Sequence, residues 1–290
     1  MPELPEVETI RIQLNQTLKG LRIKDVEVLK AKSFQGNKKE VIGKKVVGVG
    51  RRAKIILIQL SGGYCLAIHL KMTGQLIFRD KEPRYKEVKS ERNGPFVVGE
   101  LPNKYTRVII DFSNSSRLFF NDLRIFGWVR VCEIENGEWE IDNLKSLGPE
   151  ANDEKKFTLE YLKQILSRSK KPVKLVIMDQ EKLAGVGNIY ANEVLFAARI
   201  DPQRPANSLK EDEIRKLRDS ILRVLKSAIV HKGTSDKDEA YRQISGEKGD
   251  FQNYLQVYGR DKQKCPKCSG EIKRVKIGGR GTFFCPNCQK

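Results

Sequence analysis

Two pairs of cysteines near the end of the chain, Cys265 with Cys268 and Cys285 with Cys288, restrict its fold more than any other feature. Each pair encloses a two-residue gap, and sixteen residues separate Cys268 from Cys285. That spacing makes two short chelating loops facing one another across a hairpin, whose four thiolates fill the tetrahedral shell of one zinc ion. A closed shell leaves no position for substrate or activated water, so such a metal is structural. One structural zinc per chain, and no organic cofactor, is the expectation. The turn Gly278-Gly279-Arg280-Gly281 lies between two β-like arms and would present Arg280 at the end of a hairpin too small to bury its own core. The other two cysteines, Cys65 and Cys132, stand singly in apolar, strand-like segments. In a reducing compartment that predicts two buried thiols rather than a disulfide.

Upstream the chain divides by period. Ile55 to Leu60, Tyr64 to Ile68, Val108 to Phe112 and Leu118 to Phe120 read as short strands, with Gly62-Gly63 and Asn114-Ser115-Ser116 as hairpin turns. Strands this closely spaced, without helices between them, predict an antiparallel sandwich. Residues 79–104 are charged and carry Pro and Gly, which predicts an exposed insertion. Beyond an acidic, Gly/Pro-bearing stretch the pattern turns helical. Shorter helices are expected from Leu159 to Leu166 and from Asn188 to Ala198. Ser208 and Glu211 form a capping box ahead of a longer one whose buried face is Ile214, Leu217, Ile221, Val224, Leu225 and Ala228, closing near Gly233. The expected class is α+β: a β-sandwich over 1–135 flanked by an N-terminal helix, a linker over 136–156, a helical domain over 157–260, and a zinc-finger hairpin over 261–290.

Charge narrows the partner. Lys and Arg number 55 against 37 Asp and Glu, a net +18, which favours a polyanion, nucleic acid first, while leaving open a basic protein that sits on anionic surfaces. No apolar run reaches the ~20 residues of a membrane span, so a soluble, intracellular chain is expected.

The chain opens Met1-Pro2-Glu3-Leu4-Pro5-Glu6-Val7-Glu8. A small residue such as Pro2 permits removal of Met1, which would leave a secondary amine whose pKa, near ~8, keeps a useful fraction neutral and nucleophilic. Such an amine could attack the C1′ of a deoxyribose and form an iminium. The cation would acidify the neighbouring C2′ hydrogen and lead to strand cleavage by elimination. Glu3 is placed to shuttle protons. Pro5 can sit in the first turn of a helix that buries Val7, Ile10, Leu14 and Leu18. On the residues alone, Pro2, Glu3 and Pro5 are equally the start of an ordinary helix.

The run PELPEVET resembles the start of the formamidopyrimidine-DNA glycosylases; the related endonuclease VIII branch typically carries Gly where this chain has Leu4. The resemblance runs on through RRAK (51–54), HLKMTG (69–74), LGPE (147–150), LAGVGNIYANE (183–193), QVYGR (256–260) and GRGTFFC (279–285). It implies a bifunctional glycosylase and lyase that excises oxidised purines from damaged double-stranded DNA, acting as a monomer in the bacterial cytoplasm at the nucleoid. It further implies Pro2 as Schiff-base nucleophile, Glu3 as its acid/base partner, Glu6 as a further active-site carboxylate, and Lys54 as proton donor for β-elimination. Arg280 would contact the lesion strand and assist δ-elimination.

The same resemblance makes GVGNIY part of a helix-two-turn-helix, with Asn188 gripping the strand beside the lesion. Lys170, Lys171 and Lys174 lie just upstream and are expected to contact phosphates. Met72, Arg124 and Phe126 match the family's void-filling trio, which occupies the hole left by a flipped nucleotide; from pattern alone Met72 and Phe126 read as core. Two departures stand out: Ile125 where a second basic residue is common, and Tyr105 where many members have a DNA-contacting histidine. The lesion-capping loop is expected over Thr234 to Gln243.

Overall fold

The computed structural model describes residues 1–81, 100–135, 138–139, 141, 144–235 and 241–290. Most of the expected insertion, and the centre of the expected capping loop at 236–240, lie outside the described residues. The described chain forms two compact units, Met1–Leu144 with His231–Gln252, and Lys145–Val230 with Asn253–Lys290.

The first unit opens on helix α1 (Leu4–Leu18). Its expected apolar face, Val7, Ile10, Leu14 and Leu18, is fully buried. Among the described residues ten strands follow: β1 (Ile23–Val28), β2 (Phe34–Gln35), β3 (Val46–Arg52), β4 (Ile55–Leu60), β5 (Tyr64–His69), β6 (Gly74–Arg79), β7 (Thr106–Phe112), β8 (Arg117–Asp122), β9 (Trp128–Glu135) and β10 (Glu138–Trp139). They form two sheets, one ordered β1-β7-β8-β6, the other β10-β9-β5-β4-β3 with β2 against β9. All described pairings are antiparallel except the short β2–β9 pair. Val26, Leu76, Val108, Ile110, Leu118 and Phe120 from the first sheet share one core with Ile56, Ile58, Leu66, Ile68 and Val129 from the second. Burial of this kind contributes roughly 25 cal/mol per Å² of apolar surface and is the main force closing the sandwich. The α1 helix completes the core, and its Asn15 Oδ1 accepts from Val49 N–H at 2.9 Å.

Cys65 and Cys132 correct the expectation of two reduced thiols. They are directly paired in the β5–β9 register, their Cα atoms are 5.1 Å apart, and their sulfurs are joined as a disulfide.

The sequence pattern assigns 157–260 to one helical domain, but His231–Gln252 belongs to the first unit. Tyr241 and Ile244 insert into the sandwich core, Phe78 N–H donates to Ile244 O at 2.8 Å, and Gln13 Nε2 donates to Gln243 Oε1 at 2.7 Å. Apolar anchoring of this segment outweighs its continuity with the preceding helix.

The second unit contains α2 (Leu159–Ser167), α3 (Val173–Met178), α4 (Asn188–Ala198) and α5 (Glu211–Val230), then a hairpin of β11 (Lys273–Ile277) and β12 (Arg280–Phe284). Part of the expected linker packs here. Ala184 N–H donates to Pro149 O at 2.9 Å and Ala151 N–H to Ala184 O at 3.0 Å, while a Cβ on Gly148 would lie 2.4 Å from Lys182 O. LGPE is therefore a close backbone approach against the LAG segment. The expected capping box does not form: Ser208 Oγ donates to Pro205 O, and only the carboxylate half of such a box is present two residues on, where Glu213 accepts from Lys210 N–H at 2.8 Å at the start of α5 at Glu211.

Candidate active site and nucleic-acid interface

Register brings the chemistry of the first unit to one end of its sandwich. Ile55, at the start of β4, pairs with His69 at the end of β5, and His69 pairs with Trp128 at the start of β9. In the other sheet Gly74, at the start of β6, pairs with Asp122 at the end of β8. The β3–β4 turn carrying Lys54, the β5–β6 crossover carrying Met72 and the β8–β9 crossover carrying Arg124 and Phe126 consequently share that end.

Helix α1 is tied to the same place. Glu8 Oε2 accepts from Arg51 Nε at 2.8 Å, and Arg51 Nη1 donates to Ala53 O at 2.7 Å, inside the turn that presents Lys54. Pro2, Glu3, Glu6 and Lys54 are all buried. With Met1 attached, the Pro2 nitrogen is an amide; only a chain that begins at Pro2 has the amine. Both carboxylate oxygens of Glu6 are engaged. Its Oε2 accepts from Glu3 N–H at 2.7 Å and its Oε1 from Thr234 N–H at 2.7 Å, so it fixes the backbone of the N-terminus to the start of the segment 231–252. Gly233, at φ +76°, follows from this contact, since a Cβ there would lie 2.8 Å from Glu6 Oε1. Tyr241 lies behind it, with a phenol raised well above 10 by burial first and by Glu6 second.

His69 opens the HLKMTG motif, which by itself assigns it no role. Its pKa falls to about 3, through burial first and then the charges of Lys71 and Lys54. The imidazole is thus neutral, and its Nδ1 accepts from Lys71 N–H at 2.9 Å.

Met72 and Phe126 are 36% and 50% exposed, against the core role that pattern alone gives them. The Arg124 guanidinium lies 4.8 Å from the centre of the Phe126 ring, in cation–π range. Tyr105 is partly buried, below the Lys104 ammonium at 5.1 Å.

In the second unit, α4 organises the hairpin. Asn188 Nδ2 donates to Gly281 O at 3.2 Å and Asn192 Oδ1 accepts from Phe283 N–H at 2.7 Å. Lys174 departs from the phosphate contact expected of all three lysines, while Lys170 and Lys171 stand exposed. It is fully buried, and its ammonium donates to Thr282 Oγ1 at 2.7 Å and Gly281 O at 3.2 Å. Its place is that of a strut beneath the tip where Arg280 is exposed. Glu193 closes the same unit: its carboxylate accepts from the N–H groups of Gln256, Val257 and Tyr258 at 2.8–3.0 Å. Burial raises its pKa against the lowering effect of those donors.

The four cysteines fit zinc. Their sulfurs lie within 4.8 Å of one another, with Cys265–Cys288 at 3.8 Å and Cys268–Cys285 at 3.5 Å. A tetrahedron of ~2.3 Å Zn–S bonds has edges of ~3.8 Å. Cys265 and Cys285 also pack with Phe196, Val257, Ile272 and Phe283 in a small core, so metal and apolar contacts stiffen the hairpin together.

Exposed apolar side chains on short crossovers suit entry into a base stack rather than enclosure of a small molecule, and the hairpin of the second unit displays a cation at its tip. By class this is a DNA-processing enzyme with a structural zinc module. Family models described as "Formamidopyrimidine-DNA glycosylase N-terminal domain", "Formamidopyrimidine-DNA glycosylase H2TH domain" and "Zinc finger found in FPG and IleRS" match residues 1–129, 147–239 and 262–290. A formamidopyrimidine-DNA glycosylase of Pelotomaculum thermopropionicum is 40% identical, covering 100% of this chain and 99% of its own. The crystal structure of the MutM (Fpg) protein of Thermus thermophilus superposes with a TM-score of 0.85 at 36% identity, covering 99% and 98% of the two chains. A Lactococcus lactis Fpg bound to DNA containing an abasic site gives 0.83 at 32% identity over 100% of both. The chain belongs to the formamidopyrimidine-DNA glycosylase family, whose members are DNA-repair enzymes with glycosylase and abasic-site lyase activity.

Proposed function

We propose that this chain excises oxidised purines, 8-oxoguanine and formamidopyrimidines among them, from duplex DNA through a Schiff base on Pro2, and then cuts the strand by β,δ-elimination. The observation that carries the reading is the buried Pro2-Glu3 start of α1, joined through Glu8 and Arg51 to the turn that presents Lys54. The freed Pro2 nitrogen forms a bond to C1′ as the glycosidic bond breaks and the base leaves with its electron pair. Glu3 moves protons between base, sugar oxygen and water. Opening of the sugar ring yields the iminium; Glu3 or water takes the acidified C2′ proton, the C–H electron pair passes into the C1′–C2′ bond, and its return expels the 3′ phosphate with the electron pair of the C3′–O bond. Lys54 supplies the proton that the β step requires, and Arg280 contacts the lesion strand and assists the δ step. Glu6 serves by holding Glu3 and Thr234 in place.

In the same reading Met72, Arg124 and Phe126 fill the space vacated by the flipped nucleotide. Asn188, Lys170 and Lys171 hold phosphates, with Tyr105 at the backbone, and Lys174 supports Arg280 from below. One chain carries every group these steps need, which supports a monomer. Bacterial relatives and the net +18 charge support work at the nucleoid in the cytoplasm; among the described residues no helix is long and apolar enough to cross a membrane.

Borohydride trapping on an oxidised-guanine duplex tests the reading, because only an iminium is reduced to a stable protein–DNA adduct. An adduct on the N-terminal peptide is the expected result. Base release without any adduct would overturn the Schiff-base route, and an adduct formed only with oxidised pyrimidines would overturn the substrate class.

A further inference from the structure

The two crossovers that carry Met72, Arg124 and Phe126 meet at one buried carboxylate. Asp122 ends β8 and is 1% exposed. Its Oδ1 accepts from Thr73 Oγ1, the residue after Met72. The Arg124 N–H is shared between Thr73 Oγ1 at 3.0 Å and Asp122 Oδ1 at 3.2 Å. Oδ2 accepts from Gly127 N–H at 2.7 Å, beyond Phe126. Both ends of the Arg124–Phe126 segment and the root of the Met72 crossover are therefore pinned by a single side chain. Its backbone is fixed as well: Asp122 N–H donates to Tyr105 O at 2.9 Å, and Asp122 O accepts from Arg107 Nε at 2.8 Å.

The pinned segment holds a conformation it would not choose. Ile125 has φ +57°, the left-handed region in which a β-branched side chain crowds the backbone and which is rare outside Gly, Asn and Asp. Such a residue persists where the surroundings over-determine it, commonly at functional sites. Gly127 is packed too closely to carry a side chain, because a Cβ there would lie 2.8 Å from Phe120 Cζ and 3.0 Å from His69 O.

We propose that Asp122, with Thr73, is the positioning element of the lesion site. It holds Arg124 and Phe126 in an insertion-ready conformation against the backbone preference of Ile125. The proposal rests on the reading of Arg124 and Phe126 as void-filling residues. A carboxylate is suited to the role because it offers acceptors only, to three donors at once. An amide at the same place turns one acceptor into a donor facing Gly127 or the Thr73–Arg124 pair, and leaves a buried N–H unsatisfied.

The test is the ratio of single-turnover excision of 8-oxoguanine opposite cytosine to that opposite adenine. A loss of folded enzyme lowers both rates equally and leaves this ratio unmoved, so a merely structural role would not change it. Asp122→Asn is expected to shift the ratio toward that of Arg124→Ala by about threefold or more, part of the roughly 5- to 150-fold that a well-formed base contact commands. Thr73→Ala is expected to do the same while Thr73→Ser, which keeps the hydroxyl, retains the wild-type ratio. Ile125→Gly should leave the ratio near wild type by itself and recover part of the loss when added to Asp122→Asn, because glycine adopts positive φ freely. Should Asp122→Asn fail to fold, the Thr73 pair carries the test. A wild-type ratio in both Asp122→Asn and Thr73→Ala, with Arg124→Ala shifted, overturns the proposal and spares the void-filling reading. An unshifted ratio in Arg124→Ala overturns that reading and the proposal with it.

Discussion

A free secondary amine exists in this chain only after Met1 is lost, and the reading of Pro2 as nucleophile turns on that one bond. Retention of Met1 and Pro2→Ala are expected to abolish or strongly reduce borohydride trapping while duplex affinity stays close to wild type. Undiminished trapping by both, read as gel-shifted adduct, would assign the nucleophile elsewhere, Lys54 being the alternative amine. His69, beside Lys54, makes a second prediction at this scale. The folded chain keeps its imidazole neutral down to about 3, whereas the unfolded chain takes up the proton near the ordinary value of ~6.5. Between those values the unfolded state binds more protons, so His69 contributes stability that is full above ~6.5 and is lost as pH falls through the window. The slope approaches about 1.4 kcal/mol per pH unit. Urea midpoints at about pH 7.5 and about pH 5 should fall further for wild type than for His69→Gln; equal falls would contradict the assignment.

Buried polar side chains tie elements of this protein to segments distant in the sequence. Glu6 joins the first turn of α1 to Thr234, Glu193 joins α4 to the 256–258 segment, and Lys174 joins α3 to β12. The hairpin is the element least able to stand without such help, since its apolar core is a handful of side chains around two of its own cysteines. Cys268→Ser is expected to lower zinc content from about one per chain and to disable DNA binding, as judged by metal analysis and fluorescence anisotropy, because metal binding and hairpin folding are one equilibrium. Normal binding and cleavage by a metal-free variant would show the hairpin dispensable. The β8–β9 crossover makes the companion prediction. Arg124→Ala should blur discrimination between cytosine and adenine opposite the lesion by about 1–3 kcal/mol, whereas loss of a phosphate contact weakens all duplexes about equally. Parallel excision assays at one salt concentration separate the two.

At the scale of the whole chain, the first unit is crossed by one covalent link that the sequence pattern does not predict. Cys65 and Cys132 are 67 positions apart, and closing a loop of that size stabilises by about 4 kcal/mol in the chain-entropy account. Four rather than six thiols should react in the denatured, metal-stripped, unreduced protein. The Cys65→Ala/Cys132→Ala double variant should unfold at lower urea, with its zinc content unchanged. Six reactive thiols would restore the expectation of two reduced cysteines.

Much of this was legible before any coordinates. β4 spans Ile55–Leu60 and α4 spans Asn188–Ala198 as the pattern predicts, because alternation, turn residues and helical period are local properties. The zinc ligands were legible for the same reason: a two-residue gap between cysteines is itself a chelate geometry. What the tertiary structure decided is everything that depends on which positions face one another across long separations. Register alone sets Cys65 opposite Cys132, brings the Lys54 turn and the two crossovers to one end of the sandwich, and exposes Met72 and Phe126 where pattern would bury them. Lys174 shows the limit most sharply. In the chain it is one lysine among three within five positions, and nothing local distinguishes a solvated ammonium from one that is buried and donates to a hydroxyl and a carbonyl of a hairpin more than a hundred residues away.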